Sequence, residues 1–184
     1  MGNRLFGLEA ELAVSATRDG RALPTDAVVG ALAQFAQRTL AYLPGGGSRM
    51  FLASGGLFYV DCGNHPEVAT PECTTPSQAV CHLRAGERMV ARLASLAREE
   101  LKADSVLVCR SNVDYSGATW GCHESFLGNV PITAYEGWLI PHLVSRIVYT
   151  GSGGLDPLSP GIRFSISPRV AYIDQVESEV STSN

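Results

Sequence analysis

The sequence predicts an α+β (mixed α/β) domain whose sheet is largely antiparallel and flanked by helices. Three observations carry this expectation: short runs that alternate with period 2, two long segments with apolar residues at helical spacing, and connections short enough for hairpins.

From Arg4 to Val14 the chain alternates, with Leu8, Ala10, Leu12 and Val14 on one face and Gly7, Glu9, Glu11 and Ala13 on the other, which predicts a strand. After the turn-rich Thr17-Arg18-Asp19-Gly20, Pro24-Thr25-Asp26 starts a helix. Val28, Val29, Leu32, Phe35, Ala36, Leu40 and Leu43 fall on one stripe, so this helix is expected to end near Leu43. Pro44-Gly45-Gly46-Gly47-Ser48 breaks the chain. Arg49 to Ala53 and Leu57 to Asp61 then read as a hairpin around Ser54-Gly55-Gly56. A proline-punctuated loop is expected from Cys62 to Thr75. It leads to Pro76 at the first position of a helix running to about Lys102, with Ala79, Val80, Leu83, Met89, Val90, Leu93, Leu96, Ala97 and Leu101 as its buried stripe. Ser105 to Arg110 alternates as a strand, a glycine-containing loop covers Asn112 to Gly121, and Cys122 to Leu127 is a further strand. Thr133 to Tyr149 has helical character, with Pro141 as a site for a kink, and Ile162, Phe164 and Ile166 mark a last strand. Residues 1–174 read as one domain and 175–184 as a polar tail rich in Ser, Thr and Glu.

Composition limits the function. The 184 residues carry 14 basic and 18 acidic side chains, a net charge of -4, which gives no general attraction to a phosphate backbone. Nucleic-acid binding is therefore not expected, although Lys102 is the single lysine and the other basic side chains are arginines suited to a local phosphate pocket. No stretch approaches the roughly 20 apolar residues of a membrane helix, and no apolar run follows Met1 as in a leader, so a cytoplasmic protein without membrane association is expected. Five cysteines at irregular spacing fit reduced thiols better than a disulfide framework.

Three clusters could carry chemistry. Glu9 and Glu11 lie on one face of the first strand beside the small Gly7 and Ala13. Two carboxylates so placed repel unless a cation stands between them, and Mg²⁺ takes oxygen ligands, although simple half-buried alternation gives the same pattern. Tyr59 and Asp61 share a face ahead of His65, Glu67 and Glu72, a dense polar group for so uncharged a chain. Asp61 by itself would also serve as a turn cap. Arg110 and Asn112 precede a glycine loop that leads to His123 and Glu124, and Arg110 could meet phosphate bidentately. The parts of a nucleotide and metal site are present without a Walker-type loop. Cys62-x-x-His65, Cys73 and Cys122-His123 also admit a zinc site, but their spacing forms no paired knuckle.

Five blocks, in order, resemble a known family: Gly7-Leu8-Glu9-Ala10-Glu11, Leu57 to Asp61, His65-Pro66-Glu67-Val68-Ala69-Thr70-Pro71-Glu72-Cys73, Arg84-Ala85-Gly86-Glu87-Arg88, and Asn112-Val113-Asp114 with Gly121-Cys122-His123-Glu124. They are similar to the Pup ligase and Pup deamidase (depupylase) family, and Ser152-Gly153 and Ser167-Pro168-Arg169 continue the match. The resemblance implies a glutamine-synthetase-like fold, a curved antiparallel sheet carrying ATP and Mg²⁺. It implies that a ligase phosphorylates the C-terminal glutamate side chain of Pup and passes the acyl group to a substrate lysine, while a deamidase hydrolyses the corresponding bond. Carried over by position, Glu9, Tyr59 and Glu67 look like metal-site residues, Asp61 like the catalytic aspartate and Thr70 like a nucleotide contact. Glu11 and His123 look like further metal or phosphate positions.

The short interval from Glu11 to Leu57 and the run Asp61-Cys62-Gly63-Asn64-His65 read closer to the ligase, whereas Leu143-Val144-Ser145-Arg146 with Thr150-Gly151-Ser152-Gly153 looks more like the deamidase. Leu57 stands where the family usually has an arginine on ATP. The chain also stops at Asn184, before the family's later segments, so it is expected to be the N-terminal part of the catalytic domain. Four functions remain open at this point: a ligase whose partners are Pup and lysine-bearing proteins, a deamidase that hydrolyses the corresponding bond, a non-catalytic binding module that associates with a remainder chain, a second copy or Pup, and an unrelated zinc protein.

Overall fold

The computed structural model describes residues 4–61, 63–114, 116–128, 131, 133, 136–156 and 158–173. The chain forms two compact units. The first holds the described residues through Arg110 together with Trp120–Gly128, and the second holds Ser111–Thr119 and the described residues from position 131 onward.

The first unit is a mixed α+β structure with only antiparallel strand pairs among the described residues. Its elements are β1 (Phe6–Glu11), β2 (Ala13–Arg18), β3 (Arg21–Ala22), α1 (Thr25–Thr39), β4 (Tyr42–Pro44), β5 (Met50–Leu52), β6 (Leu57–Val60), β7 (Pro66–Ala69), α2 (Pro76–Glu100), β8 (Ser105–Cys109) and β9 (Cys122–Phe126). Six strands pair in the order β4-β5-β6-β7-β1-β9, and three pair as β3-β2-β8.

The single strand expected from Arg4 to Val14 is two strands that belong to different sheets. At Leu12 the backbone leaves the six-stranded sheet, and its N–H donates to the Pro66 carbonyl at 2.9 Å, so no buried donor is left over at the switch. The chain from Cys62 to Thr75 is not all loop either. Pro66–Ala69 is an inner strand between β6 and β1. Its proline sits at the first position, where a strand interior tolerates the missing donor best.

Helix α1 ends at Thr39 rather than near Leu43. Leu40 is already extended, and Tyr42–Pro44 pairs with β5 while Leu43 points to solvent. Apolar spacing therefore ran on past the point where a core was available to receive it. Helix α2 begins on a reciprocal cap: Thr75 Oγ1 accepts the Gln78 N–H, and the Gln78 side chain accepts the Thr75 N–H, with Pro76 in the first turn. Its buried stripe is Ala79, Leu83, Val90, Leu93, Ala94 and Ala97; Val80, expected on that stripe, is exposed because it lies about 100° round the axis from Ala79.

Both helices pack on the apolar face of the six-stranded sheet, where Ala10, Phe58 and Val68 meet Leu32, Val90 and Leu93. Gly86 lets α2 approach β7 closely, since a Cβ there would stand 3.1 Å from Val68 Cβ. Phe58 is fully enclosed at the centre of this contact. Phe58→Ala is expected to cost about 3–5 kcal/mol, read as a lower urea midpoint with an unchanged slope.

The second unit contains α3 (Leu139–Thr150), a two-stranded pairing of β10 (Gly154–Leu155) with β11 (Phe164–Ser165), and a short 3-10 turn at Pro168–Tyr172. Of the helix expected from Thr133, that residue is helical, positions 134 and 135 lie outside the described residues, 136–138 are turn, and the helix Leu139–Thr150 follows. Pro141 falls in the first turn, where its missing N–H would have had no helical partner, so no kink is required. The last strand is shorter than the run Ile162 to Ile166, and Ile162 is almost wholly exposed. Asp114 Oδ1 accepts from Ser116 N, Ser116 Oγ and Ala118 N, and the Ser116 hydroxyl is the main cause holding its carboxyl below the usual range. The polar tail at 175–184 lies outside the described residues.

Candidate functional site

Opposite the helix-covered face, the alternation of four adjacent strands gathers acidic side chains. Leu8, Ala10, Phe58 and Val68 face the core or pack against it, so Glu9, Glu11, Leu57, Tyr59 and Glu67 share the other face. Register brings them into rows: Tyr59 opposite Glu67, Glu67 opposite Glu11, and Glu9 opposite His123.

The side chains then close into two groups. Glu9, Glu67 and His123 bring one ligand atom each to within 4.8 Å of one another, and Glu11, Asp61 and His65 do the same beside them. His123 Nδ1 lies 3.0 Å from Glu9 Oε2 and 4.0 Å from Glu67 Oε1, while its Nε2 lies 4.0 Å from Glu11 Oε1. Glu11 Oε2 accepts the Gly121 N–H at 2.9 Å and stands 3.1 Å from His65 Nδ1. Asp61, at the end of β6, accepts the N–H groups of Gly63 and His65 on Oδ1. The ring of Trp120 lies against that of His65, centroids 5.1 Å apart.

Electrostatics follow from burial and like charge. Glu67 is 3 % exposed, and its carboxyl is pushed from 4.5 up to about 7, chiefly by burial, then by the charges of Glu9 and Glu11; the Tyr59 hydroxyl and His123 oppose the rise. The hydrogen bond to Glu9 raises the His123 imidazole, against the pull of burial, with Glu67, Glu9 and Glu11 adding to the rise. Tyr59 is held far above its ordinary range by burial and by the Glu67 carboxylate, so it presents a neutral hydroxyl.

This donor set fits a divalent cation of the Mg²⁺ or Mn²⁺ type. The ligands are carboxylate oxygens with one imidazole per group, and Glu67 Oε1 is buried with no hydrogen-bond partner, an arrangement a cation would satisfy. Cysteine takes no part in either group. Cys73 is buried with its thiol on the Pro71 carbonyl, and Cys62 lies outside the described residues.

The structure thus brings together Glu9, Glu11, Tyr59, Asp61, Glu67 and His123. It engages three other candidates elsewhere. Thr70 Oγ1 accepts the Leu8 N–H at 3.0 Å, tying β7 to β1. Arg110 Nε lies 2.7 Å from Glu87 Oε1 on α2, the helix packed against the apolar face. Asn112 belongs to the second unit, where its side-chain amide donates to Ser152 Oγ. His65, part of the polar cluster and of the zinc alternative in the sequence but given no role there, joins the site, and Trp120 is an addition. The signal for His65 was its two-residue offset from Glu67, which places both on one face once the segment is a strand.

The curated Pup--protein ligase of Acidimicrobium ferrooxidans is 35% identical over 189 residues, covering 99% of this chain and 40% of its own length. That of Kineococcus radiotolerans is 36% identical, covering 99% of this chain and 41% of its own. That of Bifidobacterium longum is 33% identical, covering 97% and 36%. The chain therefore spans about two fifths of the length of these relatives. Among solved structures, the crystal structure of the complex between prokaryotic ubiquitin-like protein Pup and its ligase PafA matches with a TM-score of 0.81 at 27% identity, over 92% of this chain and 35% of that one. The Pup-ligase protein family model covers residues 4–184, and the chain belongs to that family.

Proposed function

We propose that this chain carries the cation-holding and base-bearing face of an ATP-dependent ligase that joins the C-terminal glutamate of Pup to a lysine of a protein substrate. The observation that carries the reading is the convergence of Glu9, His123 and the unpartnered, buried Glu67 oxygen beside Asp61. That these relatives are ligases supports conjugation over hydrolysis. Residues 1–174 would belong to one catalytic domain, acting in the cytoplasm.

Glu9, Glu67 and His123 would hold Mg²⁺, with the neutral Tyr59 hydroxyl and Glu11 Oε1 beside them. Bound there, the ion supplies the positive charge that offsets ATP phosphates while the Pup carboxylate is activated. Thr70 has one hydroxyl proton left to donate toward a nucleotide, since its oxygen only accepts from Leu8. An attacking lysine must shed a proton before it is a nucleophile, and Asp61 is placed to take it. The loop bonds converge on its Oδ1, leaving Oδ2 for that role.

The chain incubated with Mg²⁺-ATP, Pup ending in Glu and a lysine-rich protein is expected to bind nucleotide and yield a conjugate resolved by mass spectrometry. Absence of nucleotide binding at millimolar ATP sinks the reading. Hydrolysis of a preformed conjugate without ligation would move the assignment to the deamidase branch. Leu57 shares its strand face with Tyr59, so Leu57→Arg would add a cation to the acidic face. It is expected to tighten ATP binding about tenfold, roughly 1.4 kcal/mol by calorimetry.

A further inference from the structure

His65 lies at the junction of the two carboxylate systems, and two different parts of it engage them. Its ring nitrogen Nδ1 meets Glu11 Oε2 at 3.1 Å. Its backbone N–H donates to Asp61 Oδ1 at 3.1 Å, and its carbonyl accepts the Asp61 N–H at 3.1 Å. Glu11 Oε2 already accepts the Gly121 N–H, and a second donor on the same oxygen suits it, so the contact fits a proton on His65 Nδ1. With Gly121 N–H on the same oxygen, Glu11 Oε2 is doubly engaged and Oε1 is the atom directed at His123.

The surroundings fix this ring rather than leaving it free to bind a ligand. The Trp120 ring lies against it, tilted by 34°. A Cβ on Gly63 would stand 3.0 Å from its Cε1 and 3.3 Å from Asp61 Oδ1, so a side chain there would crowd the ring. Asn64, at φ 60, donates to Asp26 Oδ1 at 2.8 Å and anchors the same loop to α1.

We propose that His65 is a positioning residue of the ligase site: its Nδ1–H holds Glu11 so that one oxygen faces the cation group, while its backbone holds Asp61 with Oδ2 free. This deepens the ligase reading and rests on it for the role of the two carboxylates. On this account His65 is not itself a metal ligand, although its distances to Glu11 and Asp61 alone would allow it.

The experiment separates the two possibilities by the atom that each substitution retains. Asn places an amide N–H near the position of Nδ1, whereas Gln places its amide nearer Nε2. Mn²⁺ titration of the full chain is expected to show His65→Ala and His65→Gln weaker by about tenfold, in the range usual for residues that orient ligands, with His65→Asn restoring most of the loss. Rescue by His65→Gln and not by His65→Asn, or no loss in His65→Ala, overturns the proposal. Should the alanine variant fail to fold, Gly63→Ala keeps every donor and acceptor but crowds the ring, and is expected to weaken Mn²⁺ binding similarly; unchanged affinity would count against the clasp.

The chain has 4 histidines, so long-range ¹H–¹⁵N spectra of its imidazoles offer a second readout without added metal. His65 is expected to carry a proton on Nδ1 and to keep it when Mg²⁺ is added. A bare Nδ1 in the metal-free chain, or one stripped by Mg²⁺, makes His65 a ligand and ends the proposal. If the wild-type chain binds no Mn²⁺, the ligase reading fails for this chain, while the spectra still decide where the His65 proton lies.

Discussion

On the ligase reading proposed above, Asp61→Asn is expected to lower conjugation of Pup to lysine by about 10²–10⁴-fold while ATP binding stays within about twofold of wild type. The reason is geometric. Asn can keep its side-chain oxygen toward the N–H groups of Gly63 and His65 that Asp61 Oδ1 accepts, so the loop retains its shape. The atom that changes is the one turned away from those bonds, where an amide nitrogen replaces a basic oxygen. Single-turnover assays with lysine or hydroxylamine as acceptor check this: hydroxylamine is already neutral near pH 7, so its reaction should be much less impaired. Equal loss with both acceptors, or loss of nucleotide binding together with ligation, would show that Asp61 does something other than remove the proton.

The second large effect concerns stability against pH. Glu67 has its folded value raised from 4.5 to about 7, so the folded chain holds a proton there that the unfolded chain releases. The resulting stabilisation is complete below about pH 4.5 and is lost as pH rises through about 7, amounting to about 3 kcal/mol as an order of magnitude. The raised His123 imidazole has the same sign: its contribution is present below its unfolded value and disappears at higher pH. Metal-free chain should therefore melt at a lower temperature at pH 8 than at pH 6. Glu67→Gln removes the group that must ionise and should flatten most of that slope, at the cost of cation binding. Mg²⁺ should raise the melting temperature more at pH 8 than at pH 6, because protons and cation compete for the same carboxylates. A wild-type slope of opposite sign, or a Glu67→Gln slope equal to wild type, would contradict this account of the buried carboxyl.

How much of this could be read from the chain differs residue by residue. Glu9 with Glu11 and Tyr59 with Asp61 were legible because period 2 alone puts each pair on one face, and the hairpin at Ser54-Gly55-Gly56 was legible from its turn residues. Glu67 was not accessible that way. Three prolines from position 66 to 76 make its segment read as loop, where it is one carboxylate of a polar cluster, and only the resemblance gives it a metal-site role; one proline at the start of a strand is cheap, while a sequence pattern counts it as a breaker. The change of sheet at Leu12 leaves no trace in the pattern, since both strands keep the same alternation through it. Tyr42–Pro44 was missed for the opposite reason: Leu40 and Leu43 extend helical spacing after the helix has ended. His65 stands in the polar cluster and in the zinc alternative, but its partner Trp120 lies 55 positions away in the chain, beyond the reach of any local pattern.

The strand order also sets a timetable for synthesis. β1 is made before both of its neighbours, β7 and β9, which begin at Pro66 and Cys122. At ordinary translation speeds of about 5–20 residues per second, β1 waits roughly 6–24 s before its second edge can be paired. During that interval its apolar side, with Leu8 and Ala10, has only β7, α1 and α2 to shelter it, and its acidic side has no His123 to relieve Glu9. A nascent chain arrested before Cys122 should consequently show a bound-chaperone signature and no Mn²⁺ binding. One released after Phe126 should lose the first and gain the second.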